Sequence, residues 1–505
     1  MTKELILTLL FSYFALLLFI SYLTSRKADN ETFYTGNRNN PWYVVAFGMI
    51  GASLSGVTFI SIPGTIGASE FTYLQIALGY ILGYAIIAFV LLPLYYKLNL
   101  TSIYSYLETR FGVMTYKMGA GFFIVSRVIG ASLRMYLVTL VLQKFVFDEM
   151  GVPFEVTVAL SILLIWVYTF KGGIKTIIWT DTLQTLFMLI SVGLSIYFIA
   201  DDLNLALGEI FPSIEKHGLS KMWQIEDGNA SNYWLKGILG GMFVTLGMTG
   251  VDQDMMQKNL TCRNLGEAKK NMLSFSVVLF LVNVLFVVLG ALLFMYIEYH
   301  PEVGETWKSL SDNPAAPKGD ILFATIALKS KIGVAVGVFF MLGLIAAAYS
   351  SADSALTSLS TSLSVDFLNV NKMEDKKRAE KVRKRAHIIM SFVLLVVIII
   401  FNSVVEDNVI WVLFKAANYT YGPLLGLFMF GIISKRKVKD FITIPISVLV
   451  PVLMYFISEN IGTWTSTGPN DPGFAFGYEL LGINAALVYI FLMIFSKREE
   501  AEINI

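Results

Sequence analysis

Gly48-Met49-Ile50-Gly51-Ala52-Ser53-Leu54-Ser55-Gly56-Val57-Thr58-Phe59-Ile60-Ser61-Ile62-Pro63-Gly64 sits inside a longer apolar run, residues 42–66, yet carries four hydroxyl side chains and ends on a proline and a glycine. Glycine weakens a helix and proline removes a backbone donor. A helix interrupted here frees backbone carbonyls in apolar surroundings. Discontinuous helices of this kind are how membrane carriers build cation and substrate sites. Close helix packing by small residues is the competing reading, but packing alone calls for neither the hydroxyls nor the proline.

The surroundings of that stretch are those of an integral membrane protein. The chain has 505 residues, 56% hydrophobic and 15% charged, with a mean hydropathy of +0.66. A soluble domain is about 25% charged. A net charge of +1 gives no reason to expect a nucleic-acid partner. One cysteine, Cys262, excludes an intramolecular disulfide framework, a cysteine-rich zinc site and a redox dithiol. Three scattered histidines, His217, His300 and His387, are a poor inventory for a metallohydrolase, and no transition metal is expected.

Crossing the hydrocarbon takes about 20 apolar residues as a helix. Thirteen runs qualify: 4–24, 42–66, 73–96, 116–145, 152–170, 177–200, 232–253, 271–298, 333–367, 386–403, 408–433, 439–458 and 475–495. The first lacks a cleavage site after it and is expected to stay in the membrane. With the N-terminus outside and the C-terminus inside, 26 lysines and arginines fall in inner segments and 9 in outer ones. That bias fixes the expected orientation. The basic cluster 372–385 anchors it and suits an anionic lipid leaflet. The long acidic segments 201–232 and 299–332 then lie outside, and 321–328 reads as an interfacial helix or lid.

Polar residues at membrane depth are costly and mark sites by default. In the ninth run Ser350, Ser354 and Thr357 share one helical face, as do Asp353, Thr357 and Ser360. Neutral hydroxyls beside one carboxylate suit an alkali cation rather than a transition metal. Serines bonding back to their own helix would account for one or two of them. In the sixth run Asp181 and Gln184 stand one turn apart, with helix capping by Thr180 or Asp181 as an equal alternative. Arg127 and Arg134 share a face of the fourth run, and Lys415 sits in the eleventh near Asn418. These cations either pair with Asp353 or Asp181 or face a water-filled cavity and hold an anionic substrate. The polar group Asp252-Gln253-Asp254 at the end of the seventh run reads as surface capping.

At these motifs the chain resembles the sodium/solute symporter family, which includes the sodium–sugar, sodium–proline and sodium–sialic acid carriers. The likeness rests on Gly51–Pro63, on Gly172-Gly173 followed by Trp179-Thr180-Asp181 and Gln184, on Ala347–Ser354, and on Tyr421-Gly422-Pro423 with Gly426. It implies an all-α polytopic fold like that of the bacterial leucine transporter, a 5+5 inverted repeat in one transmembrane domain, residues 1–505. Residues 41–200 and 232–433 would be the two repeats, with a peripheral first helix in 1–40 and two more helices in 434–505. It implies sodium at the carbonyls of Gly51, Leu54 and Ala347 and the hydroxyls of Ser350 and Ser351. A second cation site in some members matches Ser350, Asp353, Ser354 and Asp181. This chain has aspartate at 353 where the two-sodium sialic acid carriers place serine, so Asp353 either strengthens that site or neutralises Arg127 or Arg134. Substrate contacts are implied at Ser55, Thr58, Tyr73, Gln75 and Asn418. The arginine that binds the carboxylate in the sialic acid carriers aligns with Gly130, with Arg134 one turn further on.

The expected function is therefore sodium-coupled symport of a small organic solute by alternating access, in the cell membrane. It needs no covalent chemistry and no obligatory protein partner. A proton-coupled carrier of the same fold is the alternative, with Asp181 or Asp353 as proton acceptor, and a passive channel is a more distant one.

Overall fold

The computed structural model describes residues 3–25, 33–34, 38–311, 318–405, 409–468 and 471–500. Its principal helices, numbered in chain order, are α1 (Lys3–Ser25), α2 (Trp42–Ser53), α3 (Gly56–Ser69), α4 (Tyr73–Ile86), α5 (Val113–Leu142), α6 (Phe154–Asp202) and α7 (Trp234–Thr245). There follow α8 (Gln253–Asn259), α9 (Leu265–Tyr299), α10 (Val334–Ser362), α11 (Lys376–Val404), α12 (Val409–Ile433), α13 (Asp440–Thr465) and α14 (Leu480–Ile494). Among the described residues, eight helical stretches are long and apolar enough to cross a membrane, or nine when the bent pair Trp234–Gly250 and Gln253–Asn259 counts as one. Shorter apolar helices lie at Thr8–Leu23, Trp42–Ser53, Phe154–Val167 and Leu480–Ile494. In lipid every backbone group must be satisfied within the chain, which is why apolar runs of this length become helices.

The segment α6 carries the chain from Phe154 to Asp202. A straight helix of 49 residues would span about 74 Å, far beyond ~30 Å of hydrocarbon. Its contacts show two arms folded back on each other. Ser161 bonds to Tyr349 of α10, and Thr169 meets Ser360 through His387. On the other arm Asp181 meets Ser350, and Ser191 packs on Gly343. Numbers rise with α10 on the first arm and fall along the second. The chain therefore reverses between Thr169 and Thr176, where Gly172 and Gly173 lie, as the two separate apolar runs there anticipated.

Residues 321–328, expected as an interfacial helix or lid, are packed into the protein. Leu322–Lys329 forms a helix buried from Leu322 to Leu328, and Gly319 before it lies backbone to backbone against Gly64 of α3. A side chain at either glycine would hold the two segments apart. A short antiparallel pairing of Arg436–Lys437 with Lys497–Glu500 ties the two ends of the C-terminal helices together.

Candidate functional site

The membrane interior is polar where two helices stop. The first stop is between α2 and α3. Leu54 (φ −81°, ψ 80°) and Ser55 (φ −79°, ψ 175°) leave the helical region, and Ser55 starts the next helix. Pro63 does not make the break; it is carried inside α3. Glycines flank the break on both sides. Gly56 begins α3, and a Cβ at Gly51 would run into Thr185 Oγ1 and the Asp181 carbonyl. Only a residue without a side chain lets α2 come this close to α6. Among the described residues, the carbonyls of Gly51 and Leu54 accept no hydrogen bond, so the break leaves acceptors in a dry interior where unmet polar groups are expensive.

The second stop was not legible in the sequence. After α7 the helix widens to a π-turn at Leu246–Gly250, breaks at Val251-Asp252 and resumes as α8 at 71°. The Asp252 carboxylate caps α8, accepting from the Asp254 and Met255 amides at 2.9 and 3.2 Å. Capping was the expected role, but its location is corrected: Asp252, Gln253 and Asp254 are buried. Gly247 and Gly250 flanking Thr249 were the available signal.

Between the two breaks lies a cavity of about 90 Å³. Its wall includes Ser53, Leu54, Ser55 and Thr58 from the first break, Thr245 and Thr249 from the second, and Tyr73, Tyr84, Arg127, Arg134 and Asn283. Of the expected substrate residues, Ser55, Thr58, Tyr73 and Arg134 are thus brought together. Gln75 and Asn418 are not in this wall. They line a larger cavity of about 680 Å³ that Tyr73 also borders, with Trp411, Lys415 and Tyr478. Gln75 there donates to the Met222 carbonyl, tying α4 to the segment before α7.

The expected pairing of the buried cations is corrected. Arg127 pairs with Asp254 and lies 3.9 Å from Asp252, whose Oδ2 also accepts from the Tyr421 hydroxyl at 2.6 Å. Lys415 pairs with Glu459 at 2.6 Å and is more than half exposed. Asp353 is buried near Tyr13 of α1. Among the described residues no carboxylate forms an ion pair with Arg134, and its Nε is buried without a hydrogen-bond partner.

Of the expected sodium residues, Gly51 and Ser350 meet at Asp181, where α2, α6 and α10 pack together. Gly51 abuts Asp181, and Ser350 donates to Asp181 Oδ1 at 2.5 Å. Ser351 donates to the Ala347 carbonyl at 3.3 Å, a long bond that a cation could replace. Carbonyl and hydroxyl oxygens of this kind are the hard donors an alkali cation takes. Ser354 also lies beside Asp181. Lys258, one of the 26 basic residues counted in inner segments, is buried in α8 with its Nζ 2.7 Å from Asp181 Oδ2.

Two interrupted helices around a buried polar cavity, in a mostly helical membrane protein, define a secondary carrier. The chain belongs to the sodium:solute symporter family, whose model matches residues 33–440. It is a multi-pass, sodium-coupled solute symporter. It is 26% identical over 437 residues to the sodium/sialic acid symporter SiaT of Proteus mirabilis, covering 85% of this chain and 84% of that one. It is 25% identical over 427 residues to the human sodium-coupled monocarboxylate transporter 1, covering 82% of this chain and 66% of that one. The fold matches the substrate-bound, outward-open structure of a Na+-coupled sialic acid symporter with a TM-score of 0.78 at 21% identity, over 98% of this chain and 99% of that one. These relatives are transporters, not enzymes.

Proposed function

We propose that the protein imports a small carboxylate-bearing organic solute, coupled to sodium, by alternating access across the cell membrane. Arg134 carries this reading. A guanidinium that forms no ion pair among the described residues, held in the wall of a cavity between two broken helices, is completed by an anion. Ser55, Thr58 and Asn283 offer hydrogen bonds to the rest of a solute. A cavity of about 90 Å³ has room for about six water-sized groups at ~15 Å³ each, the size of a short monocarboxylic acid. The likeness to a monocarboxylate transporter points the same way, and Gly130, where the sialic acid carriers place their arginine, points away from sialic acid.

Sodium held by Gly51, Leu54, Ala347, Ser350 and Ser351 would join α2 and α3 to α10 and so order the cavity beside it. Release follows where sodium is scarce, and each sodium moved adds about 2.3 kcal/mol per 100 mV of membrane potential. Thirteen crossings, with the N-terminus outside and the C-terminus inside, remain our reading of topology, supported by the distribution of basic residues and by the four shorter apolar helices. The two-repeat division at 41–200 and 232–433 is supported by the placement of a broken helix first in each half. Contacts with lipid are expected at the basic cluster 372–385, and no obligatory protein partner is proposed.

The test is a panel of labelled monocarboxylates, amino acids, sugar acids and neutral sugars, offered to proteoliposomes under an imposed sodium gradient. Uptake of an acid that stops when choline replaces sodium is the expected result. Equal uptake without sodium, or uptake confined to neutral sugars, overturns the reading.

A further inference from the structure

The second cation position implied by the family resemblance is already filled in this chain by one of its own side chains. We propose that Lys258 is a tethered, resident cation at Asp181, and that the carrier therefore binds one sodium rather than two. The inference rests on the sodium-coupled reading above.

Both oxygens of the Asp181 carboxylate are engaged. Oδ2 accepts from the Lys258 ammonium at 2.7 Å and Oδ1 from the Ser350 hydroxyl at 2.5 Å. The two charged groups are 1% and 0% exposed, so they face each other without water between them. A buried charge persists only when it is paired and hydrogen-bonded. A sodium ion at Asp181 would stand next to the ammonium, two like charges sharing one carboxylate in a medium that screens them poorly. The position suits a sodium ion only with the lysine gone.

Lys258 is fixed there by the second break. The 71° bend after α7 swings α8 inward, and α8 is anchored on every side. Gln253 donates to the Thr101 carbonyl and accepts from the Ile103 amide, at 2.9 Å each. Gln257 donates to the Tyr34 carbonyl at 2.6 Å, and Asn259 accepts from Asn271 at 2.7 Å. A lysine on a helix held this way is part of the built site, not a surface side chain that has wandered inward.

The pair also acts on the first sodium site. Because Ser350 donates its only hydroxyl proton to Asp181, its oxygen lone pairs turn outward. They are then free for a cation held by Gly51, Leu54 and Ser351. The lysine holds Asp181 in place as an acceptor, so it positions Ser350 without touching the transported ion.

Equilibrium binding of radioactive sodium to the purified full chain in nanodiscs tests this, with sodium alone as the probe. The wild type is expected to bind one sodium per chain. Lys258→Met, which leaves Asp181 without its cation, is expected to bind two, and the double variant Lys258→Met with Asp181→Asn one again. Lys258→Arg, which keeps the charge, is expected to bind one. Two sodium ions on the wild-type chain overturn the inference and leave symport standing. One sodium on a folded Lys258→Met overturns it as well. Absence of saturable sodium binding to the wild type overturns the symport reading on which it rests. The wild-type count requires no variant to fold.

Discussion

Arg127 and Arg134 stand seven residues apart on α5, both buried in the wall of one cavity, and among the described residues only Arg127 forms an ion pair with a carboxylate. The same side chain on the same helical face thus has two fates. One is neutralised by Asp254 and Asp252 from the second helix break, while the other keeps its charge for whatever enters the cavity.

Replacing Arg134 with glutamine is expected to raise the KM for the transported acid by about thirtyfold or more, since truncating one partner of a buried charge pair costs about 2–5 kcal/mol and each 1.4 kcal/mol is tenfold. Sodium binding should be unchanged. Uptake kinetics in proteoliposomes, with sodium binding measured in parallel, check this. Unaltered KM would remove Arg134 from the substrate site.

Arg127→Met is expected to act on folding instead. It strands Asp254 and Asp252 in a dry interior, and breaking such a pair costs about 3–5 kcal/mol. Thermal unfolding should show a marked loss that Asp254→Asn, added to Arg127→Met, partly restores. If Arg127→Met is as stable as wild type, the pair is not holding α5 to α8.

Ser351→Ala removes a hydroxyl expected to face the coupling ion. A hydrogen bond or ligand to a charged group is worth about 1.5–3 kcal/mol, so the sodium concentration for half-maximal uptake should rise by about ten- to a hundredfold. Wild-type sodium dependence in this variant would misplace the site.

Gly51→Ala puts a methyl group against Thr185 Oγ1 and the Asp181 carbonyl. Overpacking of this kind costs about 1–3 kcal/mol. Thermal stability should fall and recover in part when Thr185→Ala makes room. A neutral effect would mean α2 is not held against α6 at Gly51.

Cys262 offers a test of the segment between α8 and α9. Burial first, and the nearby Glu267 charge second, push its thiol up to about 12. Against an ordinary value near 8.5, the thiolate at pH 8 is scarcer by roughly a thousandfold in the folded chain. A maleimide should therefore react with the sole cysteine far more slowly before denaturation than after it. Because the folded value is raised, the stability gained by burying the neutral thiol is complete below about pH 8.5 and fades as pH rises toward 12. Rapid labelling of the native protein would contradict the burial.

Much of this was written in the sequence. Apolar runs long enough to cross a membrane had to become helices, because lipid offers no partner for an open backbone. The glycines and hydroxyls of residues 48–64 announced a break within such a run, though not its place ahead of Pro63, and the hydroxyls of Ser350, Ser354 and Thr357 announced a polar helix face, because polar groups at that depth are costly. What only the tertiary structure decided was the partner of each charge. Lys258 and Asp252 look like solvated residues at the end of a span. The 71° bend that carries them inward depends on where α8 is anchored by Tyr34, Thr101 and Asn271, residues distant in the chain. Charge pairing is a property of through-space distance, and a sequence fixes such distances only within a helix turn or two.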